Sequence, residues 1–196
     1  AELRFSISDD TRAAILREGH RIEDSAGERI RDELIKFFLA PSSSAYIREL
    51  AATRMANTIF PGIENLKACR QNVFHVHDVF DHTIKTYTSL ERLLRQPARP
   101  EPHWQKAARF FPLPEKRPLL KCAALLHDMG KPRAKTVDAS GRIHFYHHEK
   151  IGAEMAAGIF GRLKFSNQQT RYMETIIRQH LRPLFLFIQY QNRLLE

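Results

Sequence analysis

The run Leu119-Leu120-Lys121-Cys122-Ala123-Ala124-Leu125-Leu126 is apolar at all but one position. It reads as a helix that other elements must cover. It ends in His127-Asp128-Met129-Gly130-Lys131-Pro132, where Gly130 and Pro132 are helix-ending residues. A buried helix end of this kind presents an imidazole and a carboxylate side by side, one nitrogen and one oxygen donor for a metal. Lys131 stands three residues after Asp128, close enough to meet an anionic substrate. A histidine at a helix C-terminus also suits the helix dipole, so the pair by itself leaves both readings open.

The rest of the chain reads almost wholly as helix. Asp9 or Asp10 is placed to cap a first helix at Thr11, and Ser25-Ala26-Gly27-Glu28 fits a capping box for a second, which carries Ile30, Leu34, Phe37 and Phe38 as far as Pro41. A third helix is expected from Ser44 to about Thr58, broken by Pro61-Gly62, with a short helical turn from Ile63 to Cys69. Val76, Val79, Phe80, Thr83, Tyr87, Leu90 and Leu94 then mark one long helix reaching about Gln96. His75, Asp78 and His82 fall on one face of it, either as ligands or as an ordinary polar edge. Six of the ten prolines lie between Pro97 and Pro118, an insertion-like loop with room for a short helix from Trp104 to Phe111.

After the His127 helix, Asp138-Ala139-Ser140-Gly141 is a turn signal and Arg142 to Tyr146 could be briefly extended. His147-His148-Glu149 opens a helix with Ile151, Met155, Ile159 and Leu163 at spacing four, and Ser166-Asn167-Gln168-Gln169 is a second capping box. The helix it starts places His180 beside Met173, Ile176 and Ile177, where a histidine is as readily a core residue as a ligand. Leu184-Phe185-Leu186-Phe187-Ile188 begins a last helix or strand without obvious partners.

The net charge of +9 is concentrated: eight basic residues against two acidic ones lie between Arg92 and Lys121. Arg95, Arg99 and Lys106 in that window are candidates for contact with a polyanion, the alternative being a solvated basic loop. No apolar stretch approaches the roughly 18 residues of a membrane span, and no signal-peptide pattern opens the chain, so the expectation is a cytoplasmic protein without membrane contact. Cys69 and Cys122 form no metal or disulfide spacing. The start at Ala1 and the end at Leu195-Glu196, after a helical pattern, read as a segment of a longer protein.

His82, His127-Asp128, His148 and His180 lie on four helical segments, each beside an apolar stripe that must face a common core. Imidazole and carboxylate donors suit Mn, Fe, Co, Ni, Zn or Mg, and an open position on such an ion acidifies bound water enough to attack phosphorus. In order and context these residues resemble the HD superfamily of metal-dependent phosphohydrolases. The resemblance extends to the HD region of bacterial tRNA nucleotidyltransferases and poly(A) polymerase-like proteins, through Gln71 to His75, Asp78-Val79, His82-Thr83, and His144 to Glu154. Ala26 to Leu34 is similar to the helical RNA-binding region that precedes it there.

The resemblance implies an all-α HD helical bundle over residues 69–196, preceded by a helical neck over residues 1–68. It implies His82, His127 and Asp128 as metal ligands, His148 and His180 as a second-metal or substrate-binding pair, and Lys131 against a substrate phosphate. The expected function is hydrolysis of a phosphomonoester or phosphodiester, such as a cyclic nucleotide or an RNA-end phosphate. The alternative is a scaffold that positions tRNA and leaves the metal site unused. The nucleotidyltransferase head is missing from this sequence, so addition of nucleotides is not expected. The superfamily closes its site with a later aspartate, and no aspartate follows Asp138. His147 stands where the family usually has glycine.

Overall fold

The computed structural model describes residues 6–67, 69–70, 78–95 and 113–193. Its α-helices are α1 (Asp9–Glu18), α2 (Gly27–Leu39), α3 (Ser44–Ala52), α4 (Met55–Ile59), α5 (Val79–Arg95), α6 (Arg117–Leu126), α7 (Lys131–Ala134), α8 (His148–Arg162), α9 (Asn167–Gln179) and α10 (Arg182–Arg193). The sheet among the described residues is one antiparallel hairpin, β1 (Lys135–Val137) with β2 (Ile143–Phe145), in which Thr136 faces His144. The all-α expectation holds, and the extended reading near Phe145 is the second strand of this hairpin.

The apolar run sits at the centre. Seven of the ten residues of α6 are buried, and the helix packs against α2, α5 and α9, while α9 packs against α8. Each large apolar side chain buried there contributes about 1.5 to 3 kcal/mol, against about 0 to 1 for an exposed ion pair. The covering of α6 therefore decides the arrangement of the other helices. One continuous core joins the N-terminal helices to the rest, from Phe38 and Ile47 through Tyr87 and Leu126 to Phe160 and Ile177.

Where local rules misplace an element, a tertiary contact or a competing hydrogen bond explains it. The cap of α1 is Ser8, whose hydroxyl accepts from the Thr11 amide, while Asp9 and Asp10 occupy the first turn. No capping box forms at Ser25. A 3₁₀ turn over Gly19–Asp24 intervenes, and α2 enters through Gly27, which is pressed so closely on the Arg162 carbonyl that no Cβ would fit. The expected Ser44 to Thr58 helix is two helices. Thr53 donates its hydroxyl to the carbonyls of Glu49 and Leu50, ending α3, and Arg54 takes a left-handed conformation at φ 61° before α4. Asp78 caps α5 by accepting from the Asp81 amide, so its carboxylate serves the helix end. The capping box of Ser166 and Gln169 forms as expected. The last apolar run is helical, and Leu184 to Ile188 and Tyr190 are exposed. No helix among the described residues is long and apolar enough to cross a membrane. His75, the Gln71 to His75 stretch and the Trp104 to Phe111 segment lie outside the described residues.

A buried polar network ties the α2–α3 turn to α5 and α6. Lys121 Nζ lies 2.6 Å from Glu91 Oε1 and donates to the Ala40 carbonyl at 2.8 Å. Glu91 also accepts from the Ser43 amide and hydroxyl, and the Ser43 hydroxyl receives that of Tyr87 at 2.6 Å. Burial alone would raise the Glu91 carboxyl; the Lys121 ammonium and the serine donors outweigh it and hold it below its ordinary value. The unfolded carboxyl titrates near about 4.3, so this contribution is present above that pH and is lost as pH falls through the lower, folded value. Lys121→Met leaves a buried carboxylate without its cation and should cost about 3 kcal/mol in urea unfolding, with Lys121→Met/Glu91→Gln recovering more than half. A single-variant loss under about 0.5 kcal/mol would show that the pair holds nothing together.

Candidate metal centre

Helix ends build the site. His82 lies in the first turn of α5, His127 is the C-cap of α6 with Asp128 directly after it, His148 is the first residue of α8, and His180 is the C-cap of α9. Lys131 opens α7, where Pro132 serves as a helix-starting residue in the first turn. The sequence assigns Pro132 and Gly130 to stopping α6, and the structure corrects both. Gly130 has an ordinary φ of −75°; what it supplies is the absence of a side chain. A Cβ there would collide with the His148 carbonyl oxygen and come within 2.6 Å of the Gly152 amide nitrogen. The first turn of α8 therefore rests directly on the Gly130 backbone, and this contact sets His148 beside Asp128.

Asp128 is fully buried, and four histidines and a lysine divide between its two oxygens. Oδ2 faces His127 Nε2 at 3.3 Å, His82 Nε2 at 3.6 Å and Lys131 Nζ at 2.8 Å. Oδ1 faces His148 Nε2 at 3.3 Å and His180 Nε2 at 3.7 Å. Burial alone would raise this carboxyl; His127, His148 and Lys131 reverse that and hold it well below the usual carboxylate range. Among the described residues neither oxygen has a hydrogen bond of good geometry, although the ion pair to Lys131 is short.

The imidazoles are oriented from behind. His127 Nδ1 donates to the Ala124 carbonyl at 2.8 Å, His148 Nδ1 to the Phe145 carbonyl at 2.8 Å, and His180 Nδ1 to the Ile177 carbonyl at 2.7 Å. A carbonyl can only accept, so Nδ1 of each ring carries a proton, and whenever the ring is neutral its Nε2 lone pair is the one turned toward Asp128. Burial pushes the His180 imidazolium down from its ordinary value, which favours that neutral ring. His148 and His180 then bring their Nε2 atoms within 3.3 Å of each other, an approach that needs a proton or a cation between them. Donor atoms of His82, His127 and Asp128 lie mutually within 4.8 Å, as do those of Asp128, His148 and His180. The two sets share one carboxylate and fit a divalent cation of the nitrogen- and oxygen-binding kind.

Of the other residues singled out from the sequence, Arg95 stands at the far end of α5, thirteen residues from His82 or about 20 Å along the helix. It donates to the Ser42 hydroxyl at 2.7 Å, so it is not part of this centre. Arg99 and Lys106 lie outside the described residues. His147 has φ 59°, the left-handed conformation that glycine adopts most easily. Two contributors went unread in the sequence. The Phe145 carbonyl orients His148 and its ring lies 5.6 Å beneath Lys131 Nζ, and Gly152 receives Gly130. The available signal was positional, since Phe145 stands three residues before His148 as Ala124 does before His127 and Ile177 before His180.

Gly130→Ala should displace the start of α8 and lower stability by at least about 2 kcal/mol in denaturant unfolding. Gly158→Ala, at an exposed position in the same chain with open space around it, should instead raise stability by about 0.5 to 1 kcal/mol. Equal effects at the two positions would contradict the close approach at Gly130.

Residues 4–67 match the family described as the probable RNA and SrmB-binding site of polymerase A. Among curated proteins, the chain is 29% identical over 186 residues to an A-adding tRNA nucleotidyltransferase of Deinococcus radiodurans, covering 91% of this chain and 38% of that protein. It is 27% identical over 187 residues to a CC-adding tRNA nucleotidyltransferase of Thermus thermophilus, covering 92% of this chain and 39% of that protein. The chain thus spans about two fifths of the length of these relatives. Residues 79–187, more than half of the sequence and the span that carries His82, Asp128, His148 and His180, match the HD domain, and the chain belongs to that family.

Proposed function

We propose that this chain is the phosphohydrolase part of a tRNA nucleotidyltransferase-like protein, with a neck over residues 1–68 and an HD domain over residues 69–196. The observation that carries the reading is the buried Asp128 carboxylate, one oxygen facing His82 and His127 and the other facing His148 and His180. In this reading those five residues are the metal ligands, with Asp128 shared. A divalent ion there supplies Lewis-acid polarisation of a phosphoryl oxygen and a water acidified enough to attack phosphorus.

The protein's own groups do the rest. The Ala124, Phe145 and Ile177 carbonyls hold the imidazoles in the tautomer whose Nε2 can bind, so no reorientation is needed during turnover. Lys131 brings a positive charge to the centre, where charge developing on phosphoryl oxygens would be neutralised. Its side chain is only 12% exposed, so that charge acts through little intervening water. The substrates in this reading are phosphomonoesters or phosphodiesters of nucleotides, including cyclic and RNA-end phosphates, and tRNA is the macromolecular partner suggested by the relatives.

The test is release of phosphate, or opening of a cyclic phosphate, from nucleotides with Mn, Co, Ni, Zn or Mg supplied. Asp128→Asn should lower turnover by at least about 100-fold. Turnover unchanged in that variant, or surviving excess chelator, would contradict the assignment. A second reading, an RNA-binding scaffold with an unused site, is favoured by the RNA-binding family match over residues 4–67 and by the net charge of +9. Its mark would be steeply salt-dependent RNA binding by a protein that hydrolyses none of these substrates.

A further inference from the structure

A groove runs between α3 and α5, away from the Asp128 centre. On α5, His82, Lys85, Ser89 and Arg92 follow one another at intervals of three, four and three residues, which places them along one side of the helix. Lys85, Ser89 and Arg92 are exposed and, with Thr88, form one wall of the groove; Ser44 and Arg48 of α3 face them. We propose that this groove is a track for the phosphodiester backbone of an RNA strand that leads to the Asp128 centre. The proposal rests on the phosphohydrolase reading for what lies at the end of the track, and on the groove itself for the binding.

The charge pattern carries the argument. Among the described residues, no acidic side chain lines the groove. The carboxylates nearest to it in sequence are already engaged, Asp81 with Arg48 at 2.9 Å, Glu49 with Arg12 at 2.7 Å and Glu91 with Lys121 at 2.6 Å. Arg48 is paired with Asp81, so the strip of positive charge that the groove presents to solvent is carried by Lys85 and Arg92 of α5. Lys85 and Arg92 are seven residues apart, about 10 Å at a rise of about 1.5 Å per residue, which matches two to three consecutive phosphates of one strand. The Ser44 and Ser89 hydroxyls add neutral donors of the kind that fix a sugar-phosphate backbone in register.

An anionic membrane would call for exposed apolar side chains among the cations. The large apolar residue of this groove, Ile84, is buried at 5% exposure and serves as its floor. The strip also begins one helical turn from His82, so a strand lying in it would deliver a terminal phosphate toward the buried carboxylate. One wall belongs to the segment matched to an RNA-binding family and the other to the HD domain.

The test uses the whole chain without added metal and a fluorescein-labelled RNA of about ten nucleotides, with anisotropy titrations between about 50 and 300 mM KCl. Lys85→Glu/Arg92→Glu is compared with Arg171→Glu/Lys36→Glu, which makes the same charge change on other exposed surfaces. All four positions are exposed, and matching thermal melts establish that both variants fold. The groove variant should lose affinity by at least about 10-fold and its salt slope should fall by about two, while the other variant stays within about 2-fold of the parent protein. Equal losses in the two variants, retained affinity in the groove variant, or no RNA affinity in the parent would each overturn the track. So would loss of binding to phosphatidylserine vesicles with RNA binding intact. Nucleotide hydrolysis by the parent protein, measured separately, distinguishes failure of the track from failure of the phosphohydrolase reading.

Discussion

A carboxylate removed wholly from water costs several kcal/mol unless positive groups surround it, and removing one partner of such a set is more damaging than never having had it. Asp128 is that carboxylate here. Four histidines and a lysine converge on it, and they come from α5, the end of α6, α7, α8 and α9. Helices that share little else are thereby required to bring their ends to one point. The Gly130 backbone makes that convergence sterically feasible, because α8 can begin directly on top of it.

Farther along α5 and α6, a similar problem is solved with different chemistry. Glu91 and Lys121 are buried as a pair and completed by Ser43, Tyr87 and the Ala40 carbonyl. This network makes the α2–α3 turn part of the same body as α5 and α6, and the continuous apolar core does the rest. The segment matched to an RNA-binding family is therefore held in fixed relation to the Asp128 cluster along α5. A strand bound by one would meet the other at a defined position.

The sequence makes the centre legible because its chemistry is concentrated at helix ends beside apolar runs. Leu125-Leu126 before His127-Asp128, and Met173 with Ile177 before His180, tell where those side chains must point, since the apolar residues have only one place to go. What stays hidden is whatever depends on distant packing. Gly130 reads as a helix stop, and only the carbonyl of His148, eighteen residues on, gives it another purpose. The left-handed Arg54 divides a helix that has no proline or glycine at the break, just after Thr53, whose hydroxyl also bonds the last carbonyls of α3. Asp78 reads as part of a ligand face until its carboxylate is seen capping α5. Glu91 and Lys121 stand thirty residues apart, and although Lys121 lies inside the apolar run, nothing local announces that Glu91 is buried with it.

The central claim is that the histidines around Asp128 are arranged for a cation. Elemental analysis of the purified protein, after incubation with Mn, Co, Ni and Zn and exhaustive dialysis, tests it most directly when repeated on His148→Ala and His180→Ala. The account predicts roughly one to two metal ions per chain in the parent protein and a clear loss in both variants, because the two rings face the same carboxylate oxygen. No retained metal in the parent protein, or the same content in all three, would contradict it and leave the histidines as partners of a buried carboxylate.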